Sequence, residues 1–524
     1  MSPESDGVGA QASPPRLSPL GGLTVGLLAG GVMALSMVAV RLGAGAPTTA
    51  DLLADTLTRL MPPALFDFLL ERLRFVAKPL LFAGVLAAQV GLAGGLGVLY
   101  SRYAHRWPFR VTQPWLRGLL LTGVVWLVTV GLLTPLLGGG FLGLALPGNP
   151  PTYVLAQALV AGALALPLAH LHRLALGRRG LAYDAGRRSV LQWAVSLAVL
   201  AGAGGLAFRA ILRGGAAIAP SRPSRTEGAL PPEVTPNHLF YEVSKNIVNP
   251  RVDVATWRLA VGGDVGNPYA LTYEELVALP WKEEYVTLTC VSNPVGGDLI
   301  STALWRGVPL RLLLERAQLP TSAQRIAFYA ADGYDDSVPL EYAMKEQTLV
   351  AYHMNGEPLP HDHGFPARII LPGLYGMENV KWLTRIEPVP AAFRGYWQER
   401  GWADTAVIKT TSRIHLPEDG ASAPLAQTLV GGVAFAGART VRAVEVSTDG
   451  GYTWQPAELR KALSPFTWVL WTTTWLPPSE KAYTLAVRAT DGAGEVQTAQ
   501  VKTSLPDGAT GHHRVVVVIR GQAP

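Results

Sequence analysis

Residues 285–314 read YVTLTCVSNPVGGDLISTALWRGVPLRLLL, with Cys290 near the start. It is the only cysteine in 524 residues. A lone thiol forms no internal disulfide and cannot assemble the cysteine sets of iron–sulfur clusters or structural zinc sites. Residues 285–289 alternate as a strand does, and the chain then enters a glycine-containing loop over 293–298. Pro309 suits the first position of a helix carried by Leu310, Leu312, Leu313 and Leu314. This pattern leaves two roles for Cys290. A free cysteine is commonly a small buried hydrophobe, whereas a thiol leaving a strand beside a flexible loop can meet a ligand.

Thr289-Cys290-Val291-Ser292-Asn293, with Ala303-Leu304-Trp305-Arg306-Gly307-Val308-Pro309-Leu310 after it, resembles the molybdenum-ligand segment of the sulfite oxidase family. A second block reads LVAYHMNGEPLP over 349–360 and continues into Asp362-His363-Gly364-Phe365-Pro366-Ala367-Arg368. A third runs from Leu371-Pro372-Gly373 to Val380-Lys381-Trp382-Leu383. Three blocks in the family's order are specific where one short motif is not. The resemblance covers the chain from residue 235. It implies an α+β molybdopterin-binding fold over 235–403 and a C-terminal immunoglobulin-like β-sandwich over 404–524, of the type that mediates dimerisation in many members.

Upstream the composition changes. Hydrophobic residues make up 49% of the chain and charged residues 16%, and mean hydropathy is +0.23, too apolar for an ordinary soluble enzyme. Residues 1–19 read as a disordered tail, 20–209 as an α-helical membrane domain and 210–234 as a linker. Five apolar runs, near 22–42, 78–100, 114–137, 153–171 and 190–208, each approach the roughly 20 residues that cross a bilayer core. Between the first two, 51–75 is amphipathic and broken by Pro62-Pro63, which fits an interfacial helix pair.

The net charge of +6 and pI of about 9.3 do not call for nucleic acid, because the arginines sit largely beside apolar runs. Arg102, Arg106 and Arg110 follow the second run, and Arg173, Arg178, Arg179, Arg187 and Arg188 follow the fourth. Residues 138–151 contain neither Lys nor Arg. The positive-inside rule then puts the N-terminus in the cytoplasm and everything after the fifth run outside. Arg187-Arg188 is either a topology flank or a twin-arginine export signal, and a cofactor loaded in the cytoplasm favours export.

Within 235–403 the pattern predicts strands at 257–261 and 325–330, and a short helix at 272–278 begun by Thr272 with Glu274 and Glu275 in its first turn. It predicts a second helix entered at Ser337-Val338-Pro339 and a hairpin at Asn355-Gly356. Beyond 404 it predicts strands at 441–447, 452–456, 466–475, 483–490 and 495–501. Turns fall at 449–451, Pro477-Pro478 and Asp491-Gly492, the spacing of a sandwich.

The resemblance implies molybdenum held by one pterin dithiolene and one protein thiolate, and assigns the thiolate to Cys290. It assigns the pterin phosphate to His363, Arg368 and Lys381, with Asn246, Asn293 and Asp332 at further cofactor positions. Toward substrate it assigns Lys245, Trp402 at the family's active-site tyrosine, and Arg514 at its C-terminal anion-binding arginine. Animal and plant sulfite oxidases carry arginines directly after Cys-Ala-Gly-Asn, whereas Asn293 is followed by Pro294 and Val295. A pocket with fewer arginine forks holds a compact oxyanion such as sulfite less tightly.

His105, His170 and His172 lie near the ends of apolar runs and offer no opposed pair for a haem. Neither haem nor an iron–sulfur cluster is expected, and electrons pass to or from an external carrier such as a cytochrome. The expectation is a multi-pass membrane protein with an extracytoplasmic molybdopterin-dependent domain. That domain transfers oxygen atoms to or from sulfite or a related small oxo-compound. The alternatives are an S-oxide or N-oxide reductase of the same family, and a catalytically silent, membrane-tethered scaffold.

Overall fold

The computed structural model describes residues 17–44, 46–62, 65, 69, 77–104, 113–144, 146, 150–177, 229–246 and 249–521. The chain divides into an N-terminal helical unit and a C-terminal unit that contains Ala216–Pro524.

The helical unit comprises α1 (Pro19–Ala44), α2 (Thr49–Leu60), α3 (Ala77–Tyr103), α4 (Pro114–Val128) and α5 (Pro150–Gly177). A π turn at Thr129–Leu133 continues α4. Four segments, Pro19–Arg41, Leu80–Tyr103, Pro114–Leu136 and Pro150–Leu176, are long and apolar enough to cross a membrane. Small residues let α1 and α3 approach closely: a Cβ on Gly26 would overlap Ala93 O, and one on Gly97 would overlap Gly22 O. Thr48 starts α2, its N–H and hydroxyl both donating to Asp51 Oδ2 at 2.7 Å. The fifth apolar run, Arg187-Arg188, His105 and the linker up to residue 228 lie outside the described residues.

In the C-terminal unit the strands are β1 (Leu259–Val261), β2 (Tyr269–Leu271), β3 (Lys282–Thr289), β4 (Ile300–Pro309), β5 (Arg325–Ala330), β6 (Asp335–Pro339), β7 (Leu349–Met354), β8 (Glu357–Pro358), β9 (Arg368–Ile370) and β10 (Leu383–Val389). They form two sheets, ordered β2-β1-β10-β5-β6 and β3-β4-β7-β8, with β9 beside β7. Three short helices, α6 (Tyr273–Val277), α7 (Leu310–Ala317) and α8 (Leu340–Ala343), complete this α+β half. Leu259, Leu276, Leu313, Phe328, Ile369 and Ile386 fill the core between them.

Local chemistry explains the elements. Thr272 caps α6 as expected: its Oγ1 accepts Glu275 N–H at 3.2 Å while Glu275 Oε2 accepts Thr272 N–H at 2.8 Å. Asn355 and Gly356 sit at φ 53° and 81°, the two left-handed positions of a tight hairpin turn. Two expectations need correction. Pro309 ends β4 and stands at the N-cap of α7 rather than inside it. Ser337-Val338-Pro339 belongs to β6, paired with β5 through Ile326↔Val338, and the helix begins only at Leu340.

The remaining strands are β11 (Thr411–Leu416), β12 (Ser422–Pro424), β13 (Thr428–Phe435), β14 (Val441–Ser447), β15 (Gln455–Pro456), β16 (Glu458–Leu459), β17 (Val469–Trp475), β18 (Ala482–Asp491) and β19 (His513–Arg520). Two sheets, β11-β13-β17-β16 and β12-β19-β18-β14-β15, enclose Ile414, Val430, Trp471, Val446, Leu485 and Val517. The strand expected over 495–501 is absent; only a bridge joins Thr490 to Val496. Buried Gln497 takes the ladder's place there: its side chain accepts from Ala489 N and Ser412 Oγ and donates to Gly511 O.

The sandwich also seals the cysteine sheet. Thr287 N–H donates to Phe466 O at 3.0 Å, and Ser464 Oγ donates to Tyr285 O at 2.6 Å, so the outer edge of β3 is covered. A shared apolar cluster of Val291, Ile300, Tyr375, Met377, Trp402, Ile408, Phe435 and Trp468 joins the two halves directly behind the cysteine.

Candidate cofactor and active site

Cys290 follows the last residue of β3 and is buried among Tyr241, Leu288, Ala303 and Trp305. Its N–H donates to Leu299 O at 2.9 Å, which fixes the strand exit, and its Sγ lies 3.0 Å from Ser292 Oγ. Two tyrosines lie close enough to feel the thiolate's charge. Burial, reinforced by that charge, raises the phenol of Tyr241 and pushes that of Tyr375 up to about 12. Both stay neutral, with a hydroxyl to donate. Nothing in the spacing of Tyr241 or Tyr375 marked them as neighbours of Cys290.

His363, Arg368 and Lys381 come together around Gly364. That glycine has φ 117°, and a Cβ on it would stand 3.0 Å from Lys381 Cβ and 3.2 Å from Arg368 Cβ. The guanidinium of Arg368 donates to His363 O and Asn379 O at 3.0 Å each, and lies 5.0 Å from the centre of the Trp305 ring. Its Nε is buried without an acceptor. Burial lowers its pKa to about 10, a large departure for a group that ordinarily never titrates. Lys381 donates to Asp362 O at 2.9 Å and is lowered by desolvation to about 8. His363 Nε2–H donates to Asn237 O at 2.9 Å, and burial drops the imidazole to about 4, so it is neutral at pH 7. Desolvated cations with an unfilled donor form a cradle for an anion.

Asn246 and Asp332 meet each other: Asn246 Nδ2 donates to Asp332 Oδ2 at 2.6 Å. Lys245 lies 3.4 Å from Asn246 Oδ1 and 5.3 Å from the ring of Tyr396. Trp402 is 6% exposed within the apolar cluster that contains Tyr375. Asn293 turns back on its own loop, Oδ1 accepting Leu299 N–H at 3.1 Å, so it closes the cysteine loop rather than facing a ligand. Arg514 is not brought to the site. Strand alternation sends it outward, exposed, to the turn at Gly451. Its neighbour His513 faces the other way and packs on Gly296 in the loop after Cys290. From β11, buried Arg413 donates to Gly297 O at 2.7 Å. The sandwich therefore reaches the cysteine loop through His513 and Arg413, whereas the motif had pointed to Arg514.

The family model for the oxidoreductase molybdopterin binding domain matches residues 246–397, and that for the Mo-co oxidoreductase dimerisation domain matches 403–519. The sulfite oxidase of Gallus gallus is 32% identical over 312 residues, covering 50% of this chain and 68% of that protein. The chain belongs to the sulfite oxidase family. The mitochondrial sulfite oxidase of Rattus norvegicus is 33% identical over 315 residues, which is 50% of this chain and 57% of that protein. The NADH nitrate reductase of Solanum lycopersicum is 30% identical over 322 residues, 49% of this chain and 35% of that one. The chain thus spans little more than half the length of the Rattus norvegicus protein. The matched domain is the molybdopterin-binding domain of oxidoreductases.

The residues present fit that cofactor. Cys290 is the one thiolate the chain can supply, and the orphaned, buried Nε of Arg368 calls for an acceptor of the kind a phosphate provides. When bound, the molybdenum–pterin group supplies two-electron oxygen-atom transfer.

Proposed function

We propose that this protein is a membrane-anchored oxidoreductase that moves one oxygen atom to or from a small oxo-compound, with Cys290 as the metal's protein ligand. The carrying observation is that buried Tyr241 lies near both the strand-exit thiol of Cys290 and Arg368 of the Gly364-centred cradle, whose other members are Lys381 and His363. Arg368 and Lys381 hold the pterin's anionic end, neutral His363 orients it, and the loop stapled by Asn293 carries the pocket wall. Asn246 and Asp332 supply further cofactor contacts, while Lys245 and Trp402 line the substrate side. For sulfite the balance is one water in, and sulfate, two protons and two electrons out. The electrons leave to an external carrier. We assign the catalytic half to the extracytoplasmic face, tethered by the apolar helices, with the immunoglobulin-like sandwich available for homodimer contacts.

A reductive direction is the second reading. Pro294 and Val295 after Asn293, and Arg514 on the far face of β19, leave fewer guanidinium forks near Cys290 than a sulfite site uses. The test is an acceptor- and donor-linked screen of the purified full chain on sulfite, S-oxides, N-oxides and nitrate. Turnover of one class, lost in Cys290→Ser, supports the reading. A molybdenum-loaded protein inert toward all of them counts against it.

A further inference from the structure

Asp336 on β6 and Glu378, three residues past Tyr375, are both 0% exposed. The Asp336 carboxyl faces Glu378 closely enough to disfavour its ionisation. Asp336 is well supplied with donors: Oδ1 accepts Ser337 N–H at 2.7 Å and Gln398 Nε2 at 2.6 Å, and Oδ2 accepts Tyr334 OH at 3.0 Å. Glu378 Oε1 accepts Ala406 N–H at 3.0 Å, but its Oε2 is buried and has no donor. The ligand that satisfies such an oxygen beside a carboxylate is a proton.

The charged and titratable groups around the pair do not remove that need. Arg325 is the cation that faces Glu378, and it is committed elsewhere. Its Nε and NH2 donate to Ser337 Oγ and Ser337 O, and its NH1 pairs with Asp404 at 3.1 Å. Asp335 and Tyr334 face Asp336, and Tyr342 faces Glu378; none brings positive charge. Two adjacent buried negative charges are strongly unfavourable, and one retained proton converts repulsion into a short hydrogen bond. Burial pushes the Asp336 carboxyl up to about 7 and Glu378 well above the usual carboxylate range.

The pair also holds a segment. Residues 395–406 cross both carboxyls: Gln398 Nε2 bonds Asp336 and Asp404 O, its Oε1 accepts Gly395 N–H at 2.6 Å, and Ala406 N–H reaches Glu378. This segment carries Tyr396, under Lys245, and Trp402. Tyr375 N–H donates to Ala406 O at 2.8 Å, which ties the same segment to the tyrosine beside Cys290.

We propose that Asp336 and Glu378 share one proton, and that this acid–carboxylate pair is the positioning device that holds the 395–406 wall of the site in place. Loss of the shared proton sets two charges against each other and drives the carboxyls apart, and the segment that Gln398 and Ala406 tie to them is displaced with them. The pair touches no reacting atom. It acts through Tyr375, Tyr396 and Trp402. The activity consequence rests on the reading of Cys290 given above; the proton itself does not.

The experiment uses the full chain in detergent. Infrared spectroscopy reads the C=O stretch of a protonated carboxyl at neutral pH, and tryptophan fluorescence of Trp397 and Trp402 is followed as pH rises. The wild type shows the band and an alkaline fluorescence step. Glu378→Gln weakens the band and moves the step toward neutral pH, because the remaining Asp336 carboxyl keeps its three donors and no longer has a partner to share its proton. Asp336→Asn, the second variant should the first not fold, moves the step to lower pH, since Glu378 then ionises without a charged neighbour. Kinetics add the functional readout: the alkaline limb of kcat/KM moves with the step in Glu378→Gln. A band and step unchanged in either variant overturn the shared proton. These optical readouts need no turnover, so such a result strikes the pair and leaves the assignment of Cys290 standing. A shifted step with an unshifted kcat/KM limb overturns the positioning role.

Discussion

His513 and Arg514, adjacent on β19, serve opposite faces of the sandwich: His513 packs on Gly296 in the cysteine loop, and Arg514 lies exposed at the Gly451 turn. Period-two alternation makes this obligatory, since one residue of displacement along a strand reverses the face. Arg514→Ala should therefore leave KM within about twofold of wild type. Arg413→Ala removes the donor to Gly297 O and loosens the cysteine loop, with KM rising about tenfold, or ~1.4 kcal/mol. Steady-state kinetics on the substrate found by the screen compare the two. A large KM effect confined to Arg514 would return that residue to the pocket.

Gly364 is the pivot of the cation cradle. At φ 117° a side chain strains the backbone by about 1–3 kcal/mol, and its Cβ meets both Lys381 and Arg368. Gly364→Ala should lower the pterin content of purified protein more than it lowers Tm. Full pterin occupancy in this variant would show that the two cations need not converge.

Arg368 gives up its hydration for two carbonyls and the Trp305 face. Arg368→Lys keeps the charge but not the fork, so it loses one carbonyl bond and the planar stack. Its cofactor affinity should fall roughly tenfold to a hundredfold, and Arg368→Met should fall further, read as pterin retained through gel filtration. Equal retention in wild type and Arg368→Lys would assign the anion to another residue.

His363 sets a pH dependence of stability. Its folded pKa of about 4 lies below the ordinary histidine value of 6.5, so the unfolded chain binds the proton more readily between those values. The stabilisation is complete above pH 6.5 and is lost as pH falls toward 4, by roughly 3 kcal/mol in all. Denaturant titrations of wild type and His363→Gln check this: the variant's stability should decline less over that window. Parallel curves would mean that His363 is not buried neutral.

Much of the catalytic half was legible because its signals are local. Alternation gave β3 and β5, the Thr272–Glu275 pair announced α6, and Asn355-Gly356 set the hairpin. Misreadings arose where distant partners decide. Ser337-Val338 looked like a helix entrance until β5 paired with it, and 495–501 alternates but lost its ladder to the buried amide of Gln497. The same holds for the site. Motif order singled out Cys290, His363, Arg368 and Lys381 as candidates, all within contiguous blocks. Tyr241, Tyr375, Asp336 and Glu378 acquire their meaning only from three-dimensional proximity, and no spacing reveals that.

The most direct test measures molybdenum and pterin per chain in the full-length protein, wild type beside Cys290→Ser, produced in a host that makes the cofactor. The account predicts one molybdenum and one pterin per chain in the wild type. In the variant it predicts loss of turnover with the pterin partly retained through Arg368 and Lys381. Wild-type protein free of molybdenum, or a Cys290→Ser variant with full turnover, would contradict it.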